Sequence, residues 1–540
     1  MDEHKRQSLM LPSSSTWWDF PYPSQRMPVL AGNVVAASQP LAAQAGLFML
    51  HKGGNAVDAA LATAIALTVV EPTGNGLGSD AFAQVWDGGQ VHGLNASGRA
   101  PRAWNLERFQ SLRSMPNLGW DAVTVPGAVH GWFQLWNRFG KLDFDGLFEP
   151  AVRYARDGFQ VSPRIAGLWD HVAPKYEGFS EFAGTFLPCG RAPRPGETFR
   201  NPAQAATLES LARTRGESMY RGELAEKIVA QSRAEGGVLS LEDLADHSST
   251  WVEPLSQAYR GVDLQEIPPN GQGIAALMAL GILGSFDLAE HPEDSTESLH
   301  LQIEAMKLAF AQVQAHVADP EFMDLSVEAL LDRDRLKALA ESISLDRALP
   351  PDRVIEHRGG TVYLSAADAS GMMVSMIQSN YTDFGSGVVV KGTGISLQSR
   401  GQGFVLEPGH PNCVQGGKRP FHTIIPGFVT RNGAPVMSFG VMGGHMQPQG
   451  HVQVMVRMFD YGHNPQAACD APRWCLTPDF DLALEPGFPD KTVQGLKDLG
   501  HKVLLQEPRS LFGGAQLVSR LEHGYCAASE PRKDGQAVGF

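Results

Sequence analysis

At residue 361 the sequence changes texture, and no other feature constrains the fold as much. Upstream, the stretch from Leu106 to Glu253 carries mostly helical periodicity, strongest in TVPGAVHGWFQLWNRFG and between Leu208 and Ala234. Glu297 to Ala318 predicts a long amphipathic helix, with Leu299, Ile303, Met306 and Phe310 at helical spacing as a core stripe. ALPPDRVIEHRGG, residues 348–360, has no apolar period, holds two prolines and ends on a glycine pair, the composition of an exposed linker. Downstream, TVYLSAADASGMMVSMIQSN alternates on both sides of an Asp-Ala-Ser-Gly turn and reads as strand, turn, strand. Glycine-rich loops and further strands follow to about Val456, overlapping the helical run QGHVQVMVRMFDYG.

Two upstream segments complete the pattern. A Gly pair and Asn55 precede a small-residue run, Ala56 to Val70, that predicts a buried helix. AFAQVW, the turn Asp87-Gly88-Gly89 and the apolar run at Val91 to Leu94 predict a hairpin. Helices, strands and more helices in this order fit sheets covered by helices, an α+β layering.

Charge and motifs narrow the partners. A formal charge of −14 over 540 residues offers no basic excess for nucleic acid or an acidic membrane. The longest apolar run, Ala59 to Val70, is too short to span a bilayer. The polar N-terminus does not read as a secretory signal, so the chain is expected in the cytoplasm. Five cysteines show no C-x-x-C pair and the histidines no H-E-x-x-H, so neither metal nor cofactor is expected. GNGLG, Gly74 to Gly78, follows a helix rather than a strand and does not read as a dinucleotide loop. Glu71 and Asp80 flank it as candidate paired acids, though carboxylates so placed ordinarily cap helices or face solvent.

Gly359-Gly360-Thr361 carries the chemistry. If the bond before Thr361 is cut, that residue gains an α-amine with a pKa near 8 beside its own hydroxyl, so one residue supplies both base and nucleophile. Uncut, it is a β-forming residue at the start of a strand.

A family resemblance favours the first reading. GGNAVDAALATAIALTVVEPTGNGLGSDAF, TVPG at Thr124 to Gly127 and IEAMKLAFA with the later ADP resemble the γ-glutamyltransferase family. So does the ordered set GGTVYLSAADASG, FGSGVV, GTGI, KRPFHTIIPG and VMGGHMQPQ. The resemblance implies a four-layer αββα sandwich, the N-terminal-nucleophile hydrolase fold, and self-cleavage between Gly360 and Thr361. The fragments would be 1–360 and 361–540, together one unit. It further implies Thr361 as nucleophile, Ser379 as the hydroxyl that orients it, and Gly443 and Gly444 as the oxyanion hole.

The substrate-binding positions depart from the family pattern. Ser97 stands where an arginine usually holds the α-carboxylate, with Arg99 two residues later as a replacement clamp. Gly403 replaces the acidic residue that holds the α-ammonium, and Arg400 lies close by. His422 and Thr423 replace paired serines, and Tyr381 an asparagine. Arg99, Arg400 and His422 are the positive candidates for a substrate carboxylate. The expected activity is cleavage of an acyl amide, γ-glutamyl or a related carboxy-acyl group, through an acyl-Thr361 intermediate. A glutaryl-type acylase or an oxamate-type amidohydrolase, acting on a substrate without the ammonium, is the alternative, and a non-catalytic binding protein the remote one. The partners expected are a small amide and the chain's own two fragments; a homo-oligomer is left open.

Overall fold

The computed structural model describes residues 24–350, 360–477, 479–505 and 509–540. Two seven-stranded antiparallel sheets lie face to face. The first runs Gln536–Gly539, Val34–Ala37, Gly360–Ala367, Met373–Tyr381, Asp80–Trp86, Val91–Ala96, Thr250–Val252. The second runs Val29–Ala31, Tyr525–Ser529, Gly514–Arg520, Ala434–Met442, Gly427–Arg431, Val262–Glu266, Leu255–Tyr259.

Strand alternation sorts side chains between the layers. Val362, Leu364 and Ala366 turn outward to a core shared with the helix Ala56–Val70. Tyr363 turns inward and meets Phe82, Ile267, Ile377, Ile424 and Met442 between the sheets. Gly440 makes room for that tyrosine, because a Cβ there would sit 2.4 Å from its ring. The helices Gly273–Leu283, Thr296–His316 and Met446–Phe459 cover the second sheet through their own core. The result is helix, sheet, sheet, helix, the α+β sandwich expected.

Several local expectations are met. The helix Ala56–Val70 is buried along its whole length, and Asn55 and Asp58 cap it reciprocally with 3.0 Å bonds. Leu299, Ile303, Met306 and Phe310 are buried on the helix Thr296–His316. Asp80–Trp86 and Val91–Ala96 pair as the predicted hairpin. The stretch from Leu106 to Glu253 is mainly helical, but it also contributes the pair Phe159–Gln160 and Thr198–Phe199 and the edge strand Thr250–Val252. Of the predicted linker, residues 351–359 lie outside the described residues, as do residues 1–23. Among the described residues no helix is long and apolar enough to cross a membrane.

The strands near the C-terminus are tied down by a buried ionic cluster. Glu530 accepts from Arg473 Nη2 at 2.7 Å, Ala515 N at 2.7 Å and Arg532 Nη1 at 2.7 Å. Burial alone would raise this carboxyl, but Arg473, Arg532 and the backbone amides outweigh it and hold the pKa at about 2. Since that lies below the ordinary 4.5, the stabilisation is complete above pH 4.5 and fades as pH falls towards 2. Its size is on the order of 3 kcal/mol. Thermal melts of wild type and Glu530→Gln should therefore differ in slope below pH 4.5, the wild type losing stability more steeply. Equal slopes would remove Glu530 from the acid response.

Candidate active site

Thr361 sits at the one irregular point of its ladder. Gly360 pairs with Tyr381 and Val362 with Gln378, so the register shifts at Thr361 and a bulge frees it from regular pairing. Thr361 is 5% exposed, and its hydroxyl donates to Ser379 Oγ at 3.2 Å. Ser379 Oγ in turn donates to the Gly360 carbonyl at 2.7 Å and accepts from Tyr381 N at 2.7 Å. Nucleophile, orienting hydroxyl and scissile carbonyl are thus within one hydrogen-bonded group.

The glycine loop after the buried helix forms the wall beside it. A Cβ on Gly74 would come within 3.3 Å of Thr361 N and O, and one on Gly76 or Gly78 would strike Ser396 at 2.2 or 2.4 Å. These glycines serve close packing against the nucleophile, and no phosphate role is needed to explain them.

Contacts carry on from Tyr381 to the remaining residues. The Arg400 guanidinium lies 4.5 Å from the centre of the Tyr381 ring, and Arg400 Nη1 donates to Thr423 Oγ1 at 2.8 Å. Gln272 Nε2 donates to the carbonyls of Thr423 at 2.6 Å and Gly444 at 2.9 Å. Gly443 and Gly444, at φ of 123° and 60°, join the strand Ala434–Met442 to the helix Met446–Phe459. Both lie in the left-handed region that glycine alone enters readily. Their amides stand at the N-terminal, positive end of that helix, a suitable place to stabilise a developing anion.

Burial decides the charges. Arg400 is 1% exposed, and among the described residues neither Nε nor Nη2 has a hydrogen-bond partner. Burial lowers its pKa to about 10, with Asp80 opposing the shift, so the guanidinium stays cationic at neutral pH. Asp80 lies opposite Ser379 in the ladder and accepts from Gly127 N at 2.9 Å and Gly98 N at 3.3 Å. Burial raises it to about 7, with Arg400 opposing. His422 Nε2 is 3.1 Å from Asp80 Oδ2, while its Nδ1 accepts from Ile424 N, so Nε2 carries the proton. Burial holds His422 far below the usual imidazole range, and Arg400 and Arg419 add to the effect.

Three expectations need correction. His422 is a neutral donor to Asp80, not a cation awaiting a carboxylate. Arg99 is engaged by Asp319 Oδ2 at 3.1 Å and by the Gly417 carbonyl at 3.0 Å, and it lines a separate small cavity with Asp243 and His247. Glu71 and Asp80 do not face solvent: both are buried, Glu71 standing at the C-cap of the helix Ala56–Val70 with its Oε2 accepting from Ser38 Oγ at 2.5 Å. Arg400, Tyr381, Thr423, Ser379, Thr361 and the glycine pair do form one connected set.

Sequence reading also missed a buried grouping of possible metal ligands, His300, Glu304 and His501. Here His300 bonds His501 at 2.8 Å and the Ser344 carbonyl at 2.8 Å, while Lys307 bonds Glu304 at 2.8 Å. Glu304 also accepts from Leu349 N at 2.9 Å, so the cluster anchors the first residues of the predicted linker.

A two-sheet αββα sandwich with a threonine at the head of an inner strand defines the N-terminal-nucleophile hydrolase class. The chain belongs to the gamma-glutamyltranspeptidase family, whose description it matches over residues 42–540. It is an autoprocessed amidohydrolase of that family. It is 37% identical over 520 residues to the glutathione hydrolase-like YwrD proenzyme of Bacillus subtilis, covering 94% of this chain and 98% of that protein. It is also 37% identical over 529 residues to the oxamate amidohydrolase proenzyme of Klebsiella pneumoniae, with 94% and 98% covered. Its fold is similar to the crystal structure of cephalosporin acylase from Bacillus halodurans, with a TM-score of 0.93 and 47% identity over 97% of this chain and 98% of that one.

Gly403, which the sequence resemblance sets at the family's acidic position, has no room for a side chain. A Cβ there would lie 2.4 Å from the backbone oxygen of Phe421. Gly403→Ala should therefore lower stability by about 1–3 kcal/mol, read as a fall in Tm. An unchanged Tm would mean the loop yields freely.

Proposed function

We propose that the chain cuts itself between Gly360 and Thr361, giving fragments 1–360 and 361–540. The mature enzyme then hydrolyses amides whose short acyl group ends in a carboxylate and carries no ammonium. Support for the cut comes from the hydrogen bonds around Ser379. Thr361 Oγ1 attacks the Gly360 carbonyl carbon while Ser379 Oγ–H steadies the oxygen that becomes negative. The C–N bond breaks, the freed nitrogen of Thr361 takes the proton, and water hydrolyses the resulting ester.

In turnover the new α-amine takes the proton from Oγ1 as the hydroxyl attacks the substrate carbonyl. The amides of Gly443 and Gly444 stabilise the oxyanion, and such donors are worth roughly 3 kcal/mol each. Collapse breaks the substrate C–N bond, and the departing amine leaves with that proton. Water then attacks the acyl ester, releasing the acid and restoring Thr361.

One observation carries the acyl preference: Arg400 is a buried cation with two guanidinium nitrogens that have no hydrogen-bond partner among the described residues, linked through Tyr381 and Thr423 to the nucleophile's surroundings. A carboxylate would satisfy both nitrogens in the planar geometry that arginine favours. An ammonium group finds no carboxylate at Gly403, and the same cation repels it. Glutaryl-type and oxamate-type acyl groups meet both conditions.

The mature protein should run as pieces near two-thirds and one-third of the chain, the smaller starting at Thr361. Thr361→Ala should stay intact, and Ser379→Ala should cleave roughly 100-fold more slowly in a gel time course. A Ser379→Ala chain cleaving at the wild-type rate would exclude that hydroxyl. Among γ-glutamyl, glutaryl and oxamate amides, a carboxylate-bearing acyl group without an ammonium should be preferred. Arg400→Met should raise KM for that substrate by about 10- to 100-fold while sparing an uncharged valeryl amide. Preference for the γ-glutamyl amide would overturn the reading.

A further inference from the structure

Two glycines give the 443–444 turn its shape but not its rigidity, because a residue without Cβ has the widest choice of backbone angles. An oxyanion hole needs the opposite, donors already fixed where the negative charge will develop. The peptide plane between Gly443 and Gly444 carries the Gly444 N–H, and its carbonyl accepts from Met446 N at 3.0 Å. The plane after Gly444 is held through its carbonyl by Gln447 N at 3.2 Å and by Gln272 Nε2 at 2.9 Å. The two backbone bonds belong to the start of the helix Met446–Phe459 and move with it. The Gln272 bond ties the turn to a separate part of the chain.

Gln272 ends the loop between the strand Val262–Glu266 and the helix Gly273–Leu283. It is fully buried, and its amide is committed on both sides. Nε2 donates to the Gly444 carbonyl and, at 2.6 Å, to the Thr423 carbonyl, while Oε1 meets His445 Nδ1 at 3.0 Å. Two carbonyls must face the NH2 group, so Oε1 faces the imidazole and His445 Nδ1 is the donor. His445 is the N-cap residue of the helix Met446–Phe459, yet its side chain makes no capping bond. Its ring lies parallel to Phe421 instead, with centroids 6.0 Å apart, and gives that proton to Gln272. Backbone bonds seat Gln272 independently of its side chain: its N donates to the His422 carbonyl at 2.9 Å, and His422 N to the Asn270 carbonyl at 2.9 Å.

We propose that Gln272 is a positioning residue for turnover, its side chain locking the Gly443–Gly444 turn in the orientation that receives the oxyanion. This rests on the glycine-pair reading above and adds the group that holds the pair in place. Gln272 acts through the turn and transfers no proton. Self-cleavage relies on Ser379 to steady its oxyanion, so the two reactions of the chain depend on Gln272 differently. Loosening the turn weakens contacts made to the transition state and spares those made to the bound substrate, so the loss falls on kcat. The backbone bonds at His422 survive a change of the Gln272 side chain, which keeps Thr423 beside Arg400.

The test compares wild type with Gln272→Met, which keeps the length of the side chain and removes its amide, and with His445→Phe. The second variant keeps a ring against Phe421, withdraws the donor from Oε1, and stands in if the first does not fold. Self-cleavage, followed on gels, should run at the wild-type rate in both. On a glutaryl amide kcat should fall roughly 10- to 100-fold for Gln272→Met and about 3- to 10-fold for His445→Phe, with KM changed by less than about 2-fold. The boronic acid analogue of the glutaryl group, which becomes tetrahedral on Thr361, should lose affinity by the same factor as kcat/KM, while glutarate keeps its own. A variant that cleaves itself and retains wild-type kcat and boronic acid affinity overturns the proposal. So does one whose self-cleavage and turnover slow by the same factor, since Gln272 would then serve only the fold. Failure of the glycine-pair reading appears separately, in the wild type, as a boronic acid bound no more tightly than glutarate.

Discussion

The Ser379 hydroxyl has one proton to give and two lone pairs, and the fold uses all three. The proton goes to the Gly360 carbonyl, and the lone pairs take Thr361 Oγ1–H and Tyr381 N–H. A hydroxyl so committed fixes its neighbours to within the tolerance of a hydrogen bond, which is what attack on an adjacent carbonyl requires. The ladder must therefore deliver Ser379 opposite Thr361 with a one-residue irregularity between Gly360 and Val362. A regular ladder would hold Thr361 in ordinary cross-strand pairing. The two cores on either side of this sheet keep that register from slipping, because a one-residue shift would exchange Val362 and Leu364 with Tyr363 between them.

Around this arrangement the charges are few, buried and unequal in their partners. Asp80 accepts two backbone amides and a neutral imidazole, so its carboxyl is surrounded by donors. Among the described residues, the Arg400 guanidinium hydrogen-bonds one hydroxyl and lies against one aromatic face, with Asp80 acting on it through charge. A buried group left this way costs stability unless something completes it, and active sites are where such costs are tolerated. The same reasoning disqualifies Arg99, whose guanidinium already has a carboxylate and a carbonyl.

What the sequence disclosed follows from the range over which its signals act. Period-two alternation and reciprocal capping are local, so the hairpin at Asp80–Trp86, the helix Ala56–Val70 and the strand pair after residue 360 were legible residue by residue. Thr361 and Ser379 were legible only through resemblance, since a threonine after two glycines has no distinctive pattern of its own. Long-range pairing was not legible at all. Asp319 lies 220 residues from the arginine it binds, and nothing near Arg99 announces it. The burial of Glu71 and Asp80 was missed for a related reason: a glycine-rich loop reads as exposed until the chain packed onto it is known. Here that chain includes Thr361 and Ser396.

Gly403 shows how one small position links these levels. Its missing side chain removes the anchor that an ammonium would need, and the Phe421 backbone oxygen occupies the place where a Cβ would begin. The loop can therefore close tightly there, and the residues that follow, Phe404 to Leu406, come to line a cavity of about 320 Å³ together with Tyr381. The absence of a side chain at Gly403 and the approach of Phe404 to Leu406 to the cavity are thus consequences of the same backbone path.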